Sequence, residues 1–185
     1  MNIPEPKERS LYLAKQVDQS SINDISKSIL EINESDEQIK KISEIYGFSY
    51  VPKPIKLYID SYGGYVYQCL GLLGIMEKSN TPLHTIVTGC AMSCGFLISI
   101  AGHERYGYSG STYLYHPVSS FTGGQIKQIE EDLMETKRLQ KIIEAHTLRF
   151  TSIKKEKLKD VYEKKIDWFI DSKEALKLKI IDETI

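Results

Sequence analysis

The feature that most constrains this chain is a pattern that occurs twice between residues 55 and 101. Ile55–Ile59 (IKLYI) is a short apolar run. It enters Asp60-Ser61-Tyr62-Gly63-Gly64 and then Tyr65–Lys78, an apolar segment of helical length. Thr85–Thr88 opens the second copy, which passes through Gly89-Cys90-Ala91-Met92-Ser93-Cys94-Gly95 into the apolar Phe96–Ala101. Strand, tight glycine turn and apolar helix in succession predict an α/β fold of stacked βαβ units with a parallel sheet. Gly71 and Gly74 in the first helix permit a close approach to that sheet. At 185 residues the chain has the length of one domain, so residues 1–185 are read as a single unit. A chain of this size buries about 70% of its unfolded surface and needs no disulfide or metal staple.

Around this centre the remaining elements are plainer. Residues 1–10 read as a polar arm containing Pro4 and Pro6, and Ser10–Leu13 as a first strand. Asp18–Ser21 form a cap cluster ahead of Ile22, Ile25, Ile29 and Ile32 at helical spacing. Residues 33–54 read as an exposed insertion with a short separate helix at Glu37–Tyr46. Arg105–Tyr108 and Tyr113–Tyr115 read as a strand pair around the turn Ser109-Gly110-Ser111. Gly123-Gly124 precede a long amphipathic helix, Gln125–Arg149, with Ile126, Ile129, Leu133, Leu139, Ile142, Ile143 and His146 broadly on one face. A charged helix over Lys154–Tyr162 follows, then a strand-like link at Asp167–Ile170. A short helix capped from Asp171-Ser172-Lys173-Glu174 and a closing strand at Lys179–Ile181 complete the reading.

Composition narrows the function. Lys+Arg 24 against Asp+Glu 25 leaves a net charge of -1, which argues against nucleic acid or an anionic membrane as the main partner. No apolar run approaches the ~18 residues of a membrane span, and MNIPEPKERS lacks a signal-peptide pattern. Three cysteines, Cys69, Cys90 and Cys94, without a C-x-x-C point to a reducing compartment and no zinc site. They read as small packing residues, and neither a metal nor a cofactor is expected.

The chemistry concentrates at the two glycine turns. Ser93 stands between Met92 and Cys94, with Gly89 and Gly95 flanking, at the start of an apolar helix. Free N–H groups and the positive end of the helix dipole would face a developing oxyanion there. A serine hydroxyl needs a base, and His116, at the end of the strand Tyr113–Tyr115, is the best placed of the four histidines. The same residues also suit plainer roles, Ser93 as a helix N-cap and His116 as a strand-end residue. Cys94 is a poor nucleophile candidate, since its side chain points away if that of Ser93 points in.

From Glu8 onward the chain resembles the Clp protease proteolytic subunit (ClpP) family of self-compartmentalised serine peptidases. The family's G-x-A-x-S-x-G is matched by GCAMSCG with Ser93 at the serine. Its strand ending in histidine and proline is matched by Tyr115-His116-Pro117. Its D-x-F stretch is matched by Asp167-Trp168-Phe169, with Glu174-Ala175 and Lys179–Asp182 following in register. Its S-P-G-G turn is matched by Ser61-Tyr62-Gly63-Gly64. The resemblance implies a ClpP/crotonase-like fold and a catalytic set of Ser93, His116 and Asp167, with backbone oxyanion donors at Gly64 and Cys94. It implies substrate-strand binding along Gly63, Gly64, Tyr65 and Val66 on one side and Val118, Ser119, Ser120 and Phe121 on the other. It implies a handle region at 119–150, through which heptameric rings stack into a tetradecamer. Peptides and unfolded proteins are the implied substrates. A related ClpP-type subunit and a Clp ATPase are the implied partners, and the cytoplasm is the implied location; the Ile-, Lys- and Tyr-rich composition would also suit a phage or plastid genome, and with it a host cytoplasm or plastid stroma.

Four departures from the family pattern qualify this. The N-terminal segment that docks the ATPase is almost wholly missing, which puts that partnership in doubt. The 33–54 stretch is longer than the family's by roughly a dozen residues, an insertion a surface loop tolerates cheaply. Tyr62 replaces the turn proline. Ile166 and Trp168 replace polar residues beside the acid, so ring stacking should rest on apolar contact. Two other classes compete with an active peptidase. One is a non-catalytic ring subunit, against which the Ser93/His116/Asp167 set argues. The other is a hydratase or isomerase of the crotonase fold, which would use glutamates instead.

Overall fold

The computed structural model describes residues 8–185. The arm read from Pro4 and Pro6 lies outside the described residues. The elements run β1 (Ser10–Leu13), α1 (Gln19–Tyr46), β2 (Ile55–Ser61), α2 (Val66–Glu77), β3 (Leu83–Met92), α3 (Cys94–Ser99), β4 (Glu104–Gly107), β5 (Thr112–Tyr115), α4 (Ile126–Phe150), α5 (Lys155–Lys164), β6 (Trp168–Asp171), α6 (Ser172–Lys177) and β7 (Glu183–Thr184). Strands β1, β2, β3, β4 and β7 lie side by side in that order, all parallel. The expected α/β class and parallel sheet are therefore present.

Side-chain alternation sets which face of the sheet is covered. Along β2, Ile55, Leu57 and Ile59 are fully buried while Lys56 and Asp60 are exposed. The buried face packs against the apolar stripes of α1 (Ile22, Ile25, Ile29, Ile32) and α2 (Cys69, Leu72, Leu73, Met76). The other face carries Tyr12 stacked on Tyr58, ring centres 5.2 Å apart.

Strand β3 belongs to two ladders, and this positions the site. Its residues 84–87 pair with β4, and its residues 90–92 pair with β5, both in parallel. Strand β6 then pairs antiparallel with β5, from Thr112 opposite Asp171 to Tyr115 opposite Trp168. The strand pair expected at 105–115 is thus corrected: β4 and β5 do not pair with each other. The turn closed by Ser111 N–H donating to Tyr108 O (2.9 Å) carries the chain from one half of β3 to the other.

Two further expectations differ. Helix α1 runs unbroken to Tyr46, where a loop and a separate short helix were expected. A capping box starts it, with Asp18 and Ser21 exchanging side-chain-to-backbone bonds of 2.8 and 3.0 Å, and Gly47, at φ 71, ends it. Its buried face beyond Ile32 continues with Ser35, Asp36 and Ser43, so the apolar period stops while the helix does not. The last strand is Glu183–Thr184 and not Lys179–Ile181. Ile180 and Ile181 are buried as core plugs, and Lys179 takes φ 53, which breaks any strand there.

Candidate active site

The turn between β3 and α3 carries Ser93 at φ 53 and ψ -119. Only three described non-glycine residues have a positive φ, and left-handed backbone is costly for a residue with a Cβ. Ser93 occupies the N-cap position of α3, yet its side chain makes no capping bond. Its N–H donates to Leu114 O at 2.9 Å, which fixes the turn to β5. The capping role is therefore not what this serine performs, and a sharp strand-to-helix turn of this type lifts a hydroxyl clear of the backbone.

The second glycine turn presses against the first. A Cβ on Gly63, whose φ is 94, would lie 2.6 Å from Met92 O and 2.8 Å from Ser93 Cβ. Only glycine allows the two turns to touch. Gly63 is buried, whereas Gly64 is exposed and has a φ of 153. The N–H groups of Gly64 and Cys94 donate to no partner among the described hydrogen bonds. The Cys94 thiol donates to Gly64 O at 3.2 Å and ties one turn to the other.

A cavity of about 50 Å³ lies beside these turns, lined by Gly64, Val66, Ser93, Cys94, Leu97 and Tyr115 to Ser119, with Ile143 of α4. It brings Ser93 and His116 to one space. His116 Nδ1 lies 2.6 Å from Pro117 O, so the tautomer with Nδ1–H donating leaves Nε2 free as an acceptor. Asp167 immediately precedes β6. One step beyond the Tyr115–Trp168 pair, the antiparallel register sets Asp167 opposite His116. Asp167 is nevertheless exposed. No described hydrogen bond joins it to His116, nor His116 to Ser93.

Of the residues read as substrate-strand positions, Gly64, Val66, Val118 and Ser119 line the cavity. Val66 also opens α2. Residues 63–65 already have one neighbour, since Val17 N–H donates to Gly63 O and Tyr65 N–H to Val17 O, both at 2.8 Å. Ser120 and Phe121 lie outside the cavity wall, and Phe121 is fully exposed. Sequence reasoning passed over Gln140. This buried α4 side chain accepts Val118 N–H at 2.8 Å and donates to Glu144 at 2.7 Å, anchoring the segment after His116. A glutamine on the helix face that carries Leu139 and Ile143 is the signal that could have marked it.

Fold and site together define an α/β protein with a strained serine at a strand–helix turn, beside unpaired backbone donors and a histidine. A sequence model of the Clp protease family matches residues 6–185. The chain belongs to the Clp protease family, and its fold is the ClpP/crotonase-like α/β type. Among its relatives, the ATP-dependent Clp protease proteolytic subunit of Deinococcus radiodurans is 26% identical over 181 residues, covering 97% of this chain and 81% of the relative. The subunit of Streptococcus mutans is 28% identical over 186 aligned positions, covering 96% and 84%. The proteolytic subunit 2 of Treponema pallidum is 28% identical over 137 residues, covering 73% and 68%.

Proposed function

We propose that this chain is a serine endopeptidase that cuts peptides and unfolded proteins, the proteolytic component of an ATP-dependent Clp-type protease. The observation that carries the reading is the left-handed, uncapped Ser93, sharing a small cavity with His116. Ser93 Oγ attacks the scissile carbonyl. His116 Nε2 takes its proton and later returns it to the leaving amine. The N–H groups of Gly64 and Cys94 receive the oxyanion, each donor of this kind being worth about 10²–10³ in rate. Asp167 stabilises the imidazolium once it swings to the Nδ1 side, in place of Pro117 O. An extended peptide pairs along 63–66 and 118–121.

The exposed face of α4 supports assembly into rings. Only Leu139, Gln140, Ile143 and Thr147 of this helix are buried, all in its C-terminal half, while Ile126, Leu133 and Met134 are exposed. A helix with so much exposed apolar surface wants a partner, and a second copy in a stacked ring is the partner proposed. A related subunit in mixed rings, a Clp ATPase and a cytoplasmic or plastid location belong to the same proposal.

One observation favours a second reading, a non-catalytic ring subunit: Asp167 is exposed and unbonded to His116. The experiment that separates the two is hydrolysis of short fluorogenic peptides with an apolar P1 residue. Wild type should cleave them, and Ser93→Ala should lose on the order of 10³-fold or more. Equal rates for both would end the peptidase reading.

A further inference from the structure

Two of the three cysteines form a chain of contacts that ends in the candidate oxyanion cradle. Cys69 of α2 and Cys94 are 0% and 1% exposed. The Cys69 thiol donates to Cys94 O at 3.6 Å, and the Cys94 thiol donates to Gly64 O at 3.2 Å. The two thiols are also near enough to shift one another. Proximity to the Cys94 thiol, with burial adding to it, raises the Cys69 thiol well above the ordinary thiol value. Proximity to the Cys69 thiol lowers the Cys94 thiol against the opposing push of burial, and the Gly64 peptide and Ser93 assist. Of the pair, Cys94 is thus the readier thiolate. It also forms part of the wall of the cavity that holds Ser93 and His116. At about 50 Å³ that cavity admits molecules of the size of water, not a bulky disulfide.

We propose that Cys69 and Cys94 are a peroxide-sensitive pair that closes to a disulfide and disables the oxyanion cradle. The oxidant is hydrogen peroxide, small enough for the cavity. The Cys94 thiol loses its proton, and the thiolate attacks one peroxide oxygen, forming an S–O bond as the O–O bond breaks. Hydroxide leaves and is protonated to water. The Cys69 thiol then attacks the Cys94 sulfenic sulfur, the S–S bond forms, and the second oxygen departs with the Cys69 proton as water. In sum, two thiols and one peroxide give one disulfide and two waters, with two electrons moving from sulfur to oxygen.

Closure removes the S–H that holds Gly64 O and draws Cys94 toward α2, because a disulfide needs the sulfurs about 2.05 Å apart. Both proposed oxyanion donors, the N–H groups of Cys94 and Gly64, lose their alignment. Cys94 is in this sense a positioning residue through its thiol. The effect on catalysis rests on the peptidase reading, whereas formation of the disulfide does not.

The test treats the whole native protein with hydrogen peroxide, alkylates free thiols after denaturation, and maps peptides without reductant. The expected result is a Cys69–Cys94 cross-linked peptide, with Cys90 still alkylated. Peptide hydrolysis should fall about 10²-fold or more and return with dithiothreitol. Cys69→Ala should keep basal hydrolysis, form no link, and escape the reversible loss. Cys69→Ser, closer in size at this buried position, provides the same readout should the alanine variant not fold. Cross-linking in a protein that hydrolyses no peptide in either state would uphold the pair and count against the peptidase reading alone. Absence of the 69–94 link after peroxide has oxidised Cys94 to the sulfinic acid would overturn the proposal. So would a link that leaves hydrolysis unchanged.

Discussion

Two carboxylates show two ways of using charge in this molecule. Asp36 on α1 is 4% exposed and accepts four hydrogen bonds, two on each oxygen, two of them from the Arg9 guanidinium. Arg9 Nη1 donates to it at 2.9 Å, Thr81 Oγ1 at 2.6 Å, and the Tyr50 hydroxyl also donates to it. Burial pushes its pKa up, but the hydrogen bonds from Arg9, Thr81 and Tyr50 outweigh burial and hold it below the ordinary carboxylate value. Asp167 has the opposite character: exposed and without a described partner, beside a histidine whose Nδ1 is already engaged by Pro117 O. The first group locks the N-terminal strand, the long helix and the segment around Tyr50 together within one protomer. The second is left uncommitted at the candidate site. Structural charge is satisfied on folding, whereas the proposed catalytic charge keeps its bonding capacity for a later step such as assembly or substrate entry.

The largest effect that would break this contrast is at Asp167. In the account given, Asp167→Asn lowers kcat for peptide hydrolysis on the order of 10³-fold or more, because the neutral amide neither holds the tautomer nor stabilises the imidazolium. A loss under tenfold would mean that Pro117 O orients His116 by itself. A smaller effect, on stability and not rate, is expected at Asp36. Asp36→Asn should cost about 3 kcal/mol in denaturant unfolding, the scale for breaking a buried pair while its cation stays.

The sign with pH follows from the lowered folded-state value. The Asp36 contribution is fully present above the unfolded-state pKa, near 4, and is lost as pH falls through the lower folded-state pKa. The stability gap between wild type and Asp36→Asn should therefore shrink below about pH 4, and a gap that widened there would reverse the assignment. The smallest effect expected is that of salt on assembly. Ile166 and Phe169 are exposed on either side of Asp167, so in the proposed stacked rings this flank offers apolar surface alongside its charges. Native mass should stay unchanged between low and 1 M salt, where ion pairs across the rings would be screened.

How much of this was legible in the sequence depends on the kind of signal each element carries. The two glycine turns could be read because apolar strands and helices flank them and because GCAMSCG leaves few roles for a central serine. The position of His116 could be read too, since it directly follows β5 as expected. The second half of α1 could not, because its buried face switches from isoleucine to Ser35, Asp36 and Ser43, and the Asp36 partners Arg9, Tyr50 and Thr81 are distant in sequence. The pairing of β4 and β5 failed for a related reason. A short turn between two strands suggests a hairpin, and nothing local reports that β3 is long enough to hold one strand on each half of its length. The link between Cys94 and Gly64 likewise joins two turns 30 residues apart. Local periodicity finds elements. Which polar groups end up facing one another is set by the topology.

The most direct measurement of the central claim is labelling of the native protein with a fluorophosphonate, followed by peptide mapping. The phosphonyl group reports an activated serine without any choice of substrate. The account predicts a single adduct on Ser93, abolished in Ser93→Ala and strongly slowed in His116→Ala. A folded, assembled protein that takes up no label at Ser93 would contradict it.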